Sequence, residues 1–113
     1  MNTADTRQLT TQDAQIFAQF ADSVRQQFPD ARIWAFGSRV KGTATPESDL
    51  DVCVVVRAKD DMVKRRIRDV SWQVGFDHNL LISTIIYSDE EFERGPCSFS
   101  PIVKTILREG VRA

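Results

Sequence analysis

The spacing of hydrophobic residues predicts alternating helices and strands along this chain. Apolar residues recur at intervals of three and four over residues 11–27, which places them on one face of a helix. The same spacing follows Asp60 or Asp61 until Gly75 and the Asp77-His78-Asn79 turn, which end this helix, and it returns over residues 101–109. Short apolar runs predict buried strands at residues 33–36, 50–56 and 80–87.

Polar residues mark where these elements begin and end. A hydroxyl with an acid three residues later, the spacing of a capping box, occurs at Thr10 and again at Ser88. Pro29 ends the first helix, and Ser100 followed by Pro101 begins the last one. The first ten residues are polar without periodicity, which predicts a frayed lead-in.

The order helix, strand, strand, helix, strand, helix predicts an α/β (α+β) fold in which helices pack on a small mixed β-sheet. With 113 residues, of which 42% are hydrophobic, we expect a single domain over 1–113 with one modest core. The chain has 15 basic and 16 acidic residues, and its net charge of −1 gives no sign of an extended nucleic-acid partner.

The sequence shows no feature of a membrane or exported protein. Its longest apolar run, residues 80–87, is far shorter than the about 18 residues of a membrane span. The N-terminus has no basic region followed by an apolar one. Cys53 and Cys97 lack a metal-type spacing and are most simply reduced thiols. We therefore expect a cytoplasmic protein.

Two acids stand at the start of the second predicted strand. Because side chains alternate across a strand, Asp49 and Asp51 point to the same face, with about 6.6–6.8 Å of strand between them. Such a pair can converge on Mg²⁺, which takes oxygen ligands and is commonly shared with substrate phosphates. The alternative is that both acids lie at a solvated strand end and have no role. An Asp-x-Asp that occurs alone is more often of this kind.

A Gly-Ser turn ends the first predicted strand. Gly37 permits a positive φ and the close approach of a ligand, and the N–H groups after it can form an anion-binding nest. Ser38 can donate its hydroxyl, and Arg39 or Lys41 can reach a terminal phosphate. A helical turn over residues 38–42 would add a favourable dipole. A plain loop is the alternative, but the turn and the acid pair come from consecutive elements and are expected to face one another.

The chain resembles a known family in these two motifs. Gly37-Ser38, ten intervening residues and then Asp49-x-Asp51 are similar to the signature of the DNA-polymerase-β-type nucleotidyltransferase superfamily, especially its minimal nucleotidyltransferases (MNT proteins). The resemblance implies transfer of a nucleoside monophosphate, AMP from ATP in the first instance, to a hydroxyl of a protein or RNA. It implies that Asp49 and Asp51 are the catalytic residues and bind Mg²⁺. It also implies that the turn holds the triphosphate, at a nucleotide-binding site made of Gly37, Ser38, Arg39 and Lys41.

Partners follow from the same resemblance. Minimal members are often encoded beside a HEPN-domain protein as a toxin–antitoxin pair, and some adenylylate a tyrosine of that partner. The resemblance therefore implies an NTP substrate and a HEPN-domain partner for this chain, whereas homo-oligomerisation stays open.

One position departs from the family pattern. The superfamily has a third carboxylate in a later strand, where it helps to bind the catalytic metal and to activate the acceptor. Residues 80–87 contain no acid, and the equivalent position is Ser83 or Thr84; Asp77 lies before that strand and Asp89 after it. Two functions stay open: an Mg²⁺-dependent nucleotidyltransferase, and a non-catalytic antitoxin-like interaction module.

The other notable residues have ordinary interpretations. His78 lies in a polar turn and is interpreted as a surface histidine, and Cys53 as a buried apolar thiol. Trp72 lies off the apolar stripe of its helix and is either a core residue or part of an interface. The second long helix also carries four basic residues, Lys64, Arg65, Arg66 and Arg68. They are interpreted as a solvated helix face, or alternatively as a contact with an RNA or an acidic partner.

Overall fold

A computed structural model describes residues 9–113 of the chain. Its elements, in chain order, are α1 (Thr11–Gln27), β1 (Arg32–Phe36), α2 (Ser38–Lys41), β2 (Leu50–Val56), α3 (Asp61–Asp77), β3 (Ile82–Ser88), α4 (Asp89–Glu93), a 3₁₀ helix (Pro96–Phe99), α5 (Pro101–Glu109) and β4 (Val111–Arg112). The predicted α/β class is confirmed, and the bounds of α1 and β2 are those that the sequence predicts.

The four strands form one mixed sheet in the order β3-β2-β1-β4. β1 is antiparallel to both β2 and β4, whereas β2 and β3 are parallel and are joined by the crossover helix α3. In the β2–β3 register Asp51 lies beside Ser83, and in the β1–β2 register it lies opposite Phe36. The sheet therefore brings the end of β1 and the starts of β2 and β3 to one place.

Helices cover both faces of the sheet, which explains why β2 is apolar at every position except Asp51. One face packs against α1 and α3, with a core that includes Phe20, Val24, Val52, Val54 and Ile67. The other face packs against α4 and α5, with a core that includes Trp34, Cys53, Val55, Phe92 and Ile106. Asp51 shares this second face with Cys53, because the two residues are two apart on one strand.

The cap residues form the expected hydrogen bonds, with one informative exception. The hydroxyl of Ser88 and the carboxylate of Glu91 exchange hydrogen bonds with each other's backbone N–H, which completes a capping box. Thr10 Oγ1 accepts a hydrogen bond from the N–H of Asp13 at 3.0 Å. The Asp13 carboxylate does not return to the cap but bonds to Arg39, so this box is only half formed.

Gly75 does not end the second long helix. α3 continues through it to Asp77, and a Cβ on residue 75 would overlap the carbonyl oxygen of Leu80. The glycine is needed for the close approach of the helix to the chain that leads into β3. β3 itself begins at Ile82, two residues later than the apolar run predicts.

The predicted frayed lead-in is wrong at its last two residues. Leu9 is buried in the core on the α1 side, and Thr10 is the N-cap of α1. The rest of the predicted lead-in, residues 1–8, lies outside the described residues. Between residues 9 and 113, no helix combines the length and apolarity that a membrane crossing needs.

Candidate functional site

The Gly-Ser turn takes the conformation that the sequence predicts. Gly37 has φ 85° and ψ −159°, a region that only glycine occupies without strain, and its carbonyl accepts the N–H groups of Val40 and Lys41. Val40 is buried and anchors the turn to the core. α2 has only four residues, so its helix dipole is small and the groups that it offers an anion are backbone N–H groups and the Ser38 hydroxyl.

The turn and the acid pair face one another as predicted. A Cβ on residue 37 would overlap Oδ2 of Asp51 and lie 3.2 Å from its Cγ. The absence of a side chain at Gly37 therefore makes room for the carboxylate of Asp51. This contact is the reason why the two motifs, twelve positions apart in sequence (Gly37 to Asp49), form one site.

Electrostatics favour a cation at this place. Asp51 is partly buried, and its pKa is raised above the ordinary value, first by desolvation and then by the negative charge of Asp49. Within residues 9–113 neither acid forms an ion pair. Two carboxylates that repel each other and have only oxygen donors are a suitable ligand pair for a hard divalent ion such as Mg²⁺.

Strand register shows which residue of β3 lies beside Asp51. Ser83 is the partner of Asp51 on the neighbouring parallel strand, so the two side chains lie on the same face, and Ser83 is exposed. Thr84 is the partner of Val52 and lies on the opposite face. Asp89 is engaged by Arg32 at 2.9 Å. No cluster of three or more His, Cys, Asp or Glu residues that could hold a metal occurs in the described chain.

Arg39 has a structural role that the sequence does not reveal. Its side chain is only 13% exposed, and its guanidinium donates to both carboxylate oxygens of Asp13 at 3.1 Å. It also donates to the carbonyls of Ser48 at 2.9 Å and Pro46 at 3.3 Å. The predicted phosphate contact of Arg39 is therefore corrected: its donors fix the loop before Asp49.

The two candidate cations near the turn thus differ in role. Lys41 is exposed, and its Nζ lies 4.0 Å from Glu109, so it can move toward a phosphate at little cost. Asp13 is the residue beside the site that the sequence does not reveal. It is buried, but its spacing from Thr10 is that of an ordinary capping box, and nothing in the sequence pairs it with Arg39, 26 positions away.

The remaining candidates lie outside the site. Cys53 is fully buried, so the prediction of a buried apolar thiol is confirmed, and burial raises the pKa of this thiol to about 12. His78 Nε2 is 2.7 Å from the side-chain oxygen of Gln19, between α3 and α1. Trp72 is 72% exposed, which excludes the core and leaves the interface interpretation.

Comparison with known proteins agrees with this geometry. The sequence model of the nucleotidyltransferase domain family matches residues 18–112. The chain is also similar to a probable protein adenylyltransferase, MntA, of Haemophilus influenzae, with 40% identity over 58 residues. That alignment covers 45% of this chain and 51% of the relative, so the chain spans about half the length of the curated relative that it matches.

Proposed function

We propose, from the premise that this chain belongs to the nucleotidyltransferase domain family, that it transfers AMP from Mg²⁺–ATP to a hydroxyl of a protein or RNA acceptor. The single observation that carries the proposal is the contact between Gly37 and Asp51, because it joins a phosphate-binding turn to a pair of unneutralised carboxylates. The name of the MntA relative supports AMP as the transferred group and a protein as the acceptor.

Each site residue has a separate task in this reaction. Asp49 and Asp51 hold the cation, and Gly37 and Ser38 bind the triphosphate through backbone N–H groups and a hydroxyl. Lys41 adds a mobile positive charge at the phosphates. When bound, Mg²⁺ supplies neutralisation of the triphosphate charge and of the leaving pyrophosphate.

The partner of this site follows from the resemblance to minimal nucleotidyltransferases. We take a HEPN-domain protein encoded nearby as the first acceptor to test, with this chain as the antitoxin of the pair. The modification would then be the neutralising event, and it would require a reactive side chain of the partner to reach Asp51. A cytoplasmic location is part of this proposal.

A second function is favoured by one observation, the serine at position 83. Without a third carboxylate beside Asp51, the site has fewer ligands for the metal and no acid at the position that activates the acceptor in the superfamily. The chain would then be an antitoxin-like module that neutralises its partner by contact and binds nucleotide weakly or not at all.

Calorimetric titration with ATP in the presence of Mg²⁺ tests the site assignment. Loss of a residue that only supports a metal ligand lowers metal affinity about 10–100-fold. The double variant D49N/D51N removes the ligands themselves and is expected to lower the affinity for Mg²⁺–ATP by more than that. Glu47→Gln, an exposed acid in the preceding loop, is the matched control and should bind as wild type does. Equal affinity of the double variant and the wild type would show that the assignment is wrong.

Incubation with α-labelled ATP and the protein encoded beside this one separates the two functions. A labelled partner supports the enzyme, whereas a stable unlabelled complex supports the interaction module.

A further inference from the structure

β3 is an edge strand without the protection that such strands usually have. Residues 82–88 contain no charged residue and no proline, and within residues 9–113 no strand lies on the outer side of β3. Natural proteins generally place charges, prolines or covering elements on a strand of this kind, because its open backbone groups pair with other chains. β3 thus has the properties of a strand that accepts a partner.

The direction of the backbone groups shows which part of this edge is open. The carbonyl of Leu81 accepts the N–H of Leu50 and so points inward to β2. Because N–H and C=O groups alternate in direction along a strand, those of Ile82, Thr84 and Ile86 point outward. The carbonyl of Ile86 accepts a hydrogen bond from Lys59 Nζ at 3.4 Å. The outward groups that no described residue engages are therefore those near the start of β3, at Ile82 and Thr84, and Thr84 is the more exposed of the two.

An apolar groove adjoins this open segment on the α3 side of the sheet. It has a volume of about 520 Å³ and lies between the second half of α3 and the chain from Asn79 to Ile82. Trp72, Phe76 and Leu81 line it and are 72%, 75% and 66% exposed. Exposed aromatic and aliphatic side chains gathered at one groove are typical of a binding surface.

The opposite face of the same segment belongs to the candidate active site. Ser83 points to that face and lies beside Asp51. In a strand added outside β3, alternate side chains would enter the groove on one face and lie next to Ser83 on the other. The backbone of a residue whose side chain lies next to Ser83 would be two strand spacings from the backbone of Asp51, about 9.4–9.8 Å. Tyrosine has the longest of the hydroxyl-bearing side chains, so it is the residue best able to lean over Ser83 toward Asp51.

We propose that the acceptor enters as an extended peptide segment that pairs with the Ile82–Thr84 edge of β3, places apolar side chains in the Trp72–Phe76–Leu81 groove, and presents a hydroxyl-bearing side chain to Asp51. This inference rests on the proposed function. It makes the acceptor a protein segment rather than an RNA, and it assigns the exposed aromatic residues of α3 to acceptor binding. Hydrogen bonds along the edge supply affinity, and the groove supplies specificity for an apolar residue next to the acceptor.

A synthetic peptide tests the proposal on the intact chain. The probe has seven residues with tyrosine at the centre and leucine on both sides, and labelling from α-labelled ATP is measured. N-methylation of one alternate set of its amides is expected to abolish labelling, whereas methylation of the other set leaves it, because only one set can face β3. Equal labelling of both methylated peptides would contradict strand pairing, as would failure of the unmethylated peptide to be labelled by a chain that binds Mg²⁺–ATP.

Variants of the chain provide the second arm. Thr84→Pro removes one outward N–H, a change that edge strands tolerate, and should lower peptide labelling at least about tenfold. Thr84→Val keeps the N–H and should lower labelling far less than Thr84→Pro does. The double variant W72A/F76A should weaken peptide binding, whereas Phe99→Ala, 74% exposed on the 3₁₀ helix, should not. Labelling that these edge and groove variants leave unchanged would overturn the inference.

Binding of Mg²⁺–ATP is measured for every variant in the same series. If the wild type itself does not bind Mg²⁺–ATP, the proposed function fails. If nucleotide binding is intact and the protein encoded beside this one is labelled, but the peptide pattern described above is absent, only the docking mode fails. If neither that protein nor the peptide is labelled, the proposed transfer fails. A β3–β3 homodimer, visible as a change in sedimentation that Thr84→Pro abolishes, would also overturn the peptide assignment.

Discussion

The Cα of Gly37 faces the carboxylate of Asp51 so closely that no side chain fits at position 37. This contact couples the Gly-Ser turn to the strand that carries the acid pair. Variants on either side of the contact therefore test the geometry and the charge of the site.

Gly37→Ala is expected to disable the site and to destabilise the fold. The new Cβ would displace Asp51, and the backbone at φ 85° and ψ −159° would be strained by about 1–3 kcal/mol. Urea denaturation and ATP titration measure the two effects. Gly42→Ala is the control: it also has a positive φ, but a Cβ there meets no atom within 4 Å. It should lose about 1–2 kcal/mol of stability and keep nucleotide affinity. Unchanged ATP affinity in Gly37→Ala would contradict the coupling.

Asp51→Asn is expected to stabilise the metal-free protein at neutral pH. Desolvation and Asp49 raise the pKa of Asp51 in the folded state, so the folded chain holds this proton more tightly than the unfolded chain. The free energy of unfolding therefore falls as pH rises from the ordinary pKa of 3.8 through the raised value. The advantage of the variant over the wild type should be present at pH 7 and disappear below pH of about 3.8. Denaturant titrations at several pH values check this, and a variant less stable than the wild type at pH 7 would refute it.

Ser83→Asp is expected to strengthen the metal site. The new carboxylate lies beside Asp51 on an exposed part of β3, so it adds a ligand without burying a charge. Without Mg²⁺ the third negative charge should lower stability, and with Mg²⁺ the thermal midpoint should rise more than in the wild type. If the chain is an enzyme, transfer should increase, up to the about 10²–10⁴-fold typical of a positioned acid or base.

Thr84→Asp is the matched control for that variant. Thr84 lies on the opposite face, beside Val52, so an acid there should lower stability without any gain in Mg²⁺ binding. The assignment of position 83 fails if the two variants respond to Mg²⁺ alike.

Arg39→Ala is expected to cost about 3–5 kcal/mol, because it leaves the buried Asp13 without its ion-pair partner. It also frees the carbonyl of Ser48, so Mg²⁺–ATP binding should weaken through displacement of Asp49. Arg57→Ala is the control, since its ion pair with Asp30 at 2.6 Å is 80% and 71% exposed and should contribute less than about 1 kcal/mol. Equal losses for the two variants in urea denaturation would contradict the role given to Arg39.

The local parts of the fold were predictable because they depend on neighbouring residues. Caps at Thr10, Ser88 and Ser100 and the apolar periodicity of α1 involve contacts within one turn of helix, so residue order alone indicates them. β4 was missed because it has only two residues and forms solely by pairing with β1. The helix before β3 ends at the predicted Asp77-His78-Asn79 turn. Gly75 has no part in that end, because the reason for a glycine there is the contact with Leu80, on the chain that leads into β3.

The sequence by itself determined the fold class, the Gly-Ser turn and the pair of acids, since each rests on periodicity or on residues a few positions apart. Only the tertiary structure decided which residue stands beside Asp51, because strand register is set by pairing across the sheet, and it selected Ser83 over Thr84. It also reassigned Arg39 from phosphate to Asp13 and exposed the edge of β3. Those relationships join residues far apart in the chain, and no local pattern encodes them.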